Sequence, residues 1–283
     1  MDIKEYFTPK SVKEALEILK EGKGRFIPVS GGTSFAFGRP PQVEGLVDLN
    51  RCGIDYVKEK KQAICLGAAT PVIHFQKHSI LNNYMGGVMP EAALSIATSP
   101  LRHVITAGGN CMQIFLWSGL PPLFLSLGAK FKIQGKKKET ITADNFFKTQ
   151  PRRRVENTSL LTEIILPPDN GAGAAYVKFA RSKTDFALMS VAAFLYAEDG
   201  VCEKARIAVG SLSPLPTRLF EAEEILLNSE LNVENIERAA KAGAESMKPM
   251  KDFRTRDHFK KKVAPVMIRR CLELAAERAL SKN

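Results

Sequence analysis

Two short glycine-rich segments constrain the fold of this chain more than any other feature. Residues 29–34 read VSGGTS and residues 106–110 read TAGGN. Each glycine pair follows an apolar run and is flanked by Ser or Thr, a composition suited to backbone that turns sharply and leaves N–H groups free. A pair of such loops in one domain has the scale of a dinucleotide. We therefore predict that both loops converge on one diphosphate.

Neither segment matches a standard nucleotide-binding motif. The P-loop pattern G-x-x-x-x-G-K-[ST] is absent from both loops, and so is the G-x-G-x-x-G pattern of the common dinucleotide fold. A glycine pair after a strand is also an ordinary tight turn. Two purely structural turns are therefore the alternative interpretation of these segments.

Length and composition bound the class of protein. The 283 residues are enough for two domains, and no apolar run reaches the roughly 18 residues of a membrane span. The N-terminus lacks a secretory signal pattern, so we expect a soluble, cytoplasmic protein without a membrane partner. The five cysteines are scattered and include no C-x-x-C. We expect reduced, mostly buried thiols and no metal site.

Basic residues exceed acidic ones by 11, and much of the excess lies between Lys130 and Arg154. The first part of this segment alternates like a hairpin with a lysine-rich turn at Gly135. The lysine-rich turn itself lacks interleaved aromatic residues of the kind that stack on bases. We therefore expect no nucleic-acid binding and interpret the segment as a solvated loop, or as a surface for an acidic protein or a cofactor phosphate.

The residues around the first loop predict a small α/β unit. Ser11 and Glu14 form a capping box, followed by apolar residues at helical spacing up to Gly22. Residues 26–29 and 45–49 read as strands on either side of the loop. Further along, we predict a hairpin over 56–66, a helix capped by Thr70 and opened by Pro71, helices over 90–97 and 120–127, and a strand over 160–166.

The strongest linker in the chain is PPDNG at residues 167–171, and we place a domain boundary after residue 170. Beyond it, the patterns predict three strands and three helices. The strands cover 174–180, 187–197 and 205–210, and the helices cover 216–227, 233–247 and 257–280. This second domain is predicted to be a small antiparallel sheet backed by helices, an α+β unit.

Five motifs, in this order, resemble the flavoprotein (medium) subunit of the molybdenum hydroxylases, the xanthine dehydrogenase and carbon monoxide dehydrogenase family. They are GGT at 31–33, TAGGN at 106–110, LTEI at 161–164 with Pro167, KFARSKTDFALMSVAA at 178–193 and GSLSPLPTR at 210–218. The set spans essentially the whole chain and is more specific than any single motif.

The resemblance implies an α+β protein in two parts. Residues 1–170 would form a FAD-binding domain of the vanillyl-alcohol-oxidase (PCMH) type, made of two α/β subdomains over about 1–53 and 54–170. Residues 171–283 would form a C-terminal domain like that of the CO dehydrogenase flavoprotein. The implied cofactor is FAD.

The resemblance also implies a role in a complex. The chain would pass electrons from [2Fe–2S] clusters on an iron–sulfur small subunit, through FAD, to NAD or another acceptor. A molybdopterin large subunit would hydroxylate the substrate. Two alternatives remain open: a self-sufficient FAD-dependent reductase of the same fold, and a scaffold subunit with weakened or lost flavin binding.

The family's cofactor contacts carry over onto sixteen positions, and no catalytic acid or base is expected. These positions are Pro28, Val29, Ser30, Gly31, Gly32, Thr33, Ser34, Phe35, Ile96, Thr106, Ala107, Gly108, Gly109, Asn110, Leu161 and Lys178.

The chain departs from the family pattern after the second loop. The family has an Asp that contacts FAD at the position of Gly119, and a Ser at the position of Phe115. Ser118 and Gln113 are candidate replacements for the missing polar anchor. Trp117, the only tryptophan, is expected either to cover the flavin or to face a partner subunit.

Overall fold

The computed structural model describes residues 3–38 and 42–281. The chain begins with a three-stranded parallel sheet and one helix. The elements are β1 (Glu5–Phe7), α1 (Val12–Glu21), β2 (Phe26–Val29), a 3₁₀ helix (Thr33–Phe37) and β3 (Gly45–Asp48). The strand order is β1-β3-β2, with both neighbouring pairs parallel.

Helix α1 begins and ends where the sequence predicts. The Ser11 hydroxyl accepts the Glu14 N–H at 3.2 Å, and the Glu14 carboxylate accepts the N–H of Lys10 at 2.7 Å. At the other end, the Gly22 N–H donates to the carbonyl oxygen of Ile18. These bonds satisfy backbone groups that a helix end otherwise leaves without partners.

A second, five-stranded sheet follows. Its strands are β4 (Val57–Lys60), β5 (Ala63–Gly67), β6 (Lys130–Gln134), β7 (Lys138–Thr142) and β8 (Leu160–Leu166). They are arranged in the order β4-β5-β8-β6-β7, and all neighbouring pairs are antiparallel. The two predicted hairpins are therefore confirmed, and the central strand β8 has the predicted bounds.

Short helices connect the strands of this sheet. They are α2 (His74–Lys77), α3 (Ser79–Asn82), a second 3₁₀ helix (Tyr84–Gly86), α4 (Val88–Ser95), α5 (Ser99–Arg102), α6 (Ala107–Met112), α7 (Leu120–Ser126), α8 (Ala143–Phe146) and α9 (Pro151–Arg154).

The prediction that Thr70 caps a helix was wrong. Its hydroxyl accepts the N–H of Tyr56 at 3.0 Å and donates to the Tyr56 carbonyl at 2.9 Å. Because the hydroxyl is engaged with a distant segment, it does not cap, and the first helix starts only at His74. The chain is extended again at His78, which splits the predicted helix in two.

The last part of the chain is an antiparallel sheet covered by helices, as predicted. Its strands are β9 (Gly173–Phe179), β10 (Met189–Glu198), β11 (Val201–Gly210) and β12 (Thr217–Arg218), in the order β12-β11-β10-β9. Its helices are α10 (Phe220–Leu226), α11 (Val233–Ser246) and α12 (Asp257–Leu280). A Cβ at Gly173 would lie 2.2 Å from the Ala275 carbonyl oxygen, so glycine permits the close contact of β9 with α12.

Polar contacts fix the third sheet and its helices against the rest of the chain. Arg278 of α12 pairs with Glu91 of α4 at 2.9 Å and donates to the Ala174 carbonyl at 2.7 Å. Arg206 pairs with Asp144 at 2.7 Å. Strand β9 is thereby held next to α4, and its face toward α4 becomes part of the site.

Three further features concern the thiols, membrane-spanning helices and metal-holding groups. All five cysteines are buried and free, as predicted. In the described parts of the chain, no helix combines the length and apolar character that a membrane crossing requires. These same residues also contain no group of three or more His, Cys, Asp or Glu side chains arranged to hold a metal ion.

Candidate functional site

A cavity of about 740 Å³ lies where the parallel sheet, the helices of the second sheet and strand β9 meet. This volume is within the range of about 300–1,000 Å³ typical of ligand sites. All but one of the predicted site residues line it: Pro28, Val29, Ser30, Gly31, Gly32, Thr33, Ser34, Phe35, Ile96, Thr106, Gly108, Gly109, Asn110, Leu161 and Lys178. The exception is Ala107, whose side chain is fully buried in the core.

The first glycine loop is shaped by two different requirements. Gly32 has φ +64°, a left-handed conformation that favours glycine. At Gly31 the requirement is space, because a Cβ there would lie 1.6 Å from the carbonyl oxygen of Val104. The first loop therefore packs directly on the backbone that leads into the second loop.

The first loop also offers free hydrogen-bond donors. The backbone N–H groups of Gly31, Gly32, Thr33 and Ser34 have no intramolecular acceptor among residues 3–38 and 42–281. All four residues line the cavity. A run of backbone N–H groups without internal partners is a typical anion-binding arrangement. This part of the wall suits a phosphate.

The second loop differs from the sequence expectation, because its N–H groups are not free. It forms the start of α6, where the Thr106 hydroxyl accepts the Gly109 N–H at 3.1 Å. The N–H groups of Ala107 and Gly108 donate to the carbonyls of Thr70 and Ala68, and that of Asn110 donates to Thr106. The loop can therefore contact a ligand through its surface and side chains, but these four N–H groups are already used.

Asn110 has a structural task in addition to lining the cavity. Its side-chain oxygen accepts the N–H of Leu120 at 3.1 Å, which fixes the start of α7. Gly108 packs against Ala68, where an added Cβ would lie 2.7 Å from both the Ala68 Cβ and its carbonyl oxygen. Gly108 thus permits the close packing of α6 on the residue that follows β5, whereas a Cβ at Gly109 would meet only the Thr106 hydroxyl.

Lys178 lies in the cavity wall and is held by three backbone carbonyls. Its ammonium group donates to Ser95 at 2.6 Å, to Lys183 at 2.8 Å and to Asp185 at 3.0 Å. Burial lowers the pKa of Lys178, and the Asp185 carboxylate partly opposes this shift. The three carbonyls use all three donors of the ammonium group, so Lys178 fixes the loop before Phe186. Its positive charge also lies in the cavity wall.

The space at Gly119, where the family pattern has an acid, is occupied by a residue that the sequence analysis missed. A Cβ at Gly119 would lie 2.9 Å from the hydroxyl of Tyr176. Of the two proposed replacements, Ser118 accepts the N–H of Phe115 through its hydroxyl at 3.0 Å. The Gln113 side-chain oxygen is buried without a hydrogen-bond partner among the described residues, and Gln113 lines the cavity.

One end of the cavity is aromatic. We define the aromatic cluster as Phe37, Phe115, Trp117 and Phe186, all of which line the cavity. The ring centroids of Trp117 and Phe186 are 4.3 Å apart, and those of Phe115 and Trp117 are 5.1 Å apart with nearly parallel planes. The guanidinium of Arg254 lies 5.7 Å from the Trp117 ring centroid. This end of the cavity suits a flat ring system, since such rings prefer offset stacking.

The cavity residues fit a dinucleotide cofactor. Free N–H donors at the first loop match a diphosphate, and Lys178 adds positive charge. The aromatic cluster and buried polar atoms without partners match a ring with hydrogen-bonding groups at its edge. Fold and cavity together define a dinucleotide-binding protein of the mixed α and β class.

Comparisons with known proteins identify the family. Residues 2–169 match the family model described as the FAD binding domain in molybdopterin dehydrogenase, and residues 174–275 match the CO dehydrogenase flavoprotein C-terminal domain. The chain is 28% identical to the carbon monoxide dehydrogenase medium chain of Afipia carboxidovorans, with 97% of each chain covered. It is 25% identical to a putative xanthine dehydrogenase FAD-binding subunit of Escherichia coli, with 77% and 75% covered.

A solved structure of carbon monoxide dehydrogenase from Hydrogenophaga pseudoflava superimposes with a TM-score of 0.90, at 28% identity and with 97% of each chain covered. The chain therefore belongs to the FAD-binding flavoprotein subunits of the molybdenum hydroxylase family, which are subunits of oxidoreductase complexes. The resemblance inferred from the five motifs is confirmed, and so is FAD as the cofactor.

Proposed function

We propose that this chain is the electron-transfer subunit of a cytoplasmic molybdenum hydroxylase complex. It would receive electrons from [2Fe–2S] clusters of a small subunit and deliver them to NAD or another acceptor, while a molybdopterin large subunit hydroxylates the substrate. Bound FAD supplies the redox chemistry, since a flavin exchanges electrons singly or in pairs. The names of the relatives, which include medium chains of carbon monoxide dehydrogenases, support assembly into such a complex.

The observation that carries the proposal is the run of free N–H groups at Gly31 to Ser34 in a cavity of dinucleotide size. We propose that these groups bind the FAD diphosphate and that Asn110 approaches it from the opposite loop. Ile96 and Leu161 would make apolar contacts with the cofactor. Lys178 would place its charge beside the flavin, where a cation favours the negatively charged reduced form.

We also propose a two-domain organisation that follows the predicted boundary. Residues 1–170 would be a PCMH-type FAD-binding domain, with subdomains over about 1–53 and 54–170, and residues 171–283 a C-terminal domain. The parallel sheet and the five-stranded sheet fall in the two proposed subdomains. The third sheet falls in the C-terminal domain.

Among the described residues, the cavity wall includes no histidine and no cysteine, and its carboxylates are Glu156 and Asp185, the latter paired with Arg181. This lining favours electron transfer over acid–base chemistry in this chain. A self-sufficient reductase would need an acid or a nucleophile positioned for substrate, whereas flavin-mediated electron transfer depends chiefly on cofactor placement.

The test is purification of the chain alone and from its native complex. We expect the isolated chain to bind FAD, which is identified after release, and to leave the hydroxylation substrate unchanged without partners. The native complex should contain molybdenum and iron, and its flavin should be reduced by substrate. A chain that remains colourless after reconstitution with FAD would contradict the proposal, and so would substrate turnover by the chain alone.

A further inference from the structure

Tyr176 is a buried tyrosine whose hydroxyl lacks a partner. The residue lies on β9, is 5% exposed and lines the cavity. Its hydroxyl has no hydrogen bond among residues 3–38 and 42–281. The Ser95 and Ser190 hydroxyls are near enough to influence its pKa, but neither meets it with hydrogen-bond geometry. Buried polar groups are nearly always hydrogen-bonded, so an exception requires an explanation.

Tyr176 lies in the same part of the cavity wall as Lys178. Side chains two residues apart on a strand face the same side, so Tyr176 and Lys178 both face the cavity from β9. The hydroxyl lies beside Gly119, where an added Cβ would be 2.9 Å from it and 3.2 Å from Ile96. Gly119 therefore leaves room for the tyrosine hydroxyl.

We propose that the Tyr176 hydroxyl donates a hydrogen bond to FAD and replaces the polar anchor that this chain lacks at Gly119. This inference rests on the proposed FAD site. Burial raises the pKa of Tyr176 to about 12, so the hydroxyl keeps its proton at neutral pH and can donate it. FAD presents many acceptors in its phosphates, hydroxyls and ring carbonyls. The Ser118 hydroxyl already accepts the N–H of Phe115, whereas no bond of either kind engages the Tyr176 hydroxyl among the described residues.

The test compares two buried tyrosines in the full-length chain. Tyr176→Phe removes only the unpartnered hydroxyl. Tyr84→Phe is the matched control, because Tyr84 is 4% exposed, lies outside the cavity wall and donates to the Pro167 carbonyl at 2.8 Å. FAD affinity is measured by fluorescence titration of the apoprotein. Stability of the apoprotein is measured by thermal unfolding.

The two variants should have opposite signatures. Tyr176→Phe should weaken FAD binding by about five- to tenfold, as loss of one net hydrogen bond predicts, and leave the apoprotein as stable as the wild type. Tyr84→Phe should lower the stability of the apoprotein and leave FAD affinity unchanged. If Tyr176→Phe binds FAD as tightly as the wild type, the inference is wrong. If it destabilises the apoprotein as much as Tyr84→Phe, the hydroxyl has an internal partner and the inference also fails.

A double-mutant comparison tests the link to Gly119. Gly119→Ala places its Cβ against the tyrosine hydroxyl, so it should weaken FAD binding in the wild-type background. In the Tyr176→Phe background the same change should cost at least threefold less, because the contacted atom is gone. Equal effects in both backgrounds would overturn the proposed role. If the wild-type chain itself does not bind FAD, the proposed function fails, and this result is distinct from normal binding by Tyr176→Phe.

Discussion

Gly31→Ala is the most informative single change in the first loop. The Cβ would lie 1.6 Å from the Val104 carbonyl oxygen, whereas ordinary contacts begin at 3.4 Å. One of the two backbones must therefore move by about 1.8 Å. Such a shift breaks hydrogen bonds to a ligand, whose donor–acceptor distances are about 2.7–3.2 Å.

General hydrogen-bond energies give the size of the expected effect. A hydrogen bond to a charged group contributes about 1.5–3 kcal/mol, so displacing one N–H from the diphosphate should weaken FAD binding by about tenfold to a hundredfold. The steric conflict should also cost about 1–3 kcal/mol of stability, the usual range for overpacking.

A glycine outside the cavity, Gly200, separates this effect from general strain, and Gly32 is the comparable position inside the loop. Gly32 and Gly200 both have positive φ, +64° and +80°, and a Cβ has room at each position. Alanine there should cost roughly 1–2 kcal/mol through backbone strain alone. Gly200 lies outside the cavity wall, so Gly200→Ala should retain FAD at full affinity.

FAD titration and thermal unfolding of the three variants provide the assay. We expect Gly31→Ala to lose affinity well beyond any loss of stability, and Gly200→Ala to lose only stability. If Gly31→Ala binds FAD with wild-type affinity, the first loop is not the diphosphate site and the reasoning is refuted.

Three further predictions use other parts of the chain. Lys178→Met should release the loop before Phe186 and weaken FAD binding about tenfold, measured by titration against the wild type; unchanged affinity would show that the lysine is irrelevant to the site. Binding of FAD should quench the fluorescence of Trp117, and steady emission during saturation would place the cofactor elsewhere. Burial alone raises the pKa of Asp252, but hydrogen bonds from Arg254 and Lys260 outweigh it and hold the pKa below its ordinary value. The stability it contributes is therefore complete above about pH 4 and lost as the pH falls further. Asp252→Asn should flatten the acid side of the stability profile, which acid titration of both proteins checks.

Regular elements and the first loop could be predicted from the sequence because their signals are local. Helix α12 covers Asp257–Leu280, as its long helical pattern indicates, and β8 covers Leu160–Leu166 as predicted. The glycine pair at Gly31 and Gly32 follows a strand, as predicted, and its residues line the cavity.

The failures have long-range causes. Thr70 has the composition of a helix cap, but the backbone of Tyr56 competes for its hydroxyl. Two N–H groups of the second loop, those of Ala107 and Gly108, are taken by the carbonyls of Thr70 and Ala68, which lie about forty positions earlier. Tyr176 was missed because only packing shows that its hydroxyl lacks a partner next to Gly119.

The three backbone carbonyls that hold Lys178 have a consequence for the stability of the subunit. Its three acceptors come from the end of α4 and from the loop after β9, so one ammonium group connects two segments more than eighty positions apart. A dinucleotide in the adjoining cavity would bridge the same segments and the first loop. A bound cofactor then acts as a non-covalent cross-link between these segments. Because it binds only the folded chain, the chain becomes more resistant to unfolding as the concentration of free cofactor rises. The supply of cofactor should consequently govern how much of the newly made subunit stays folded.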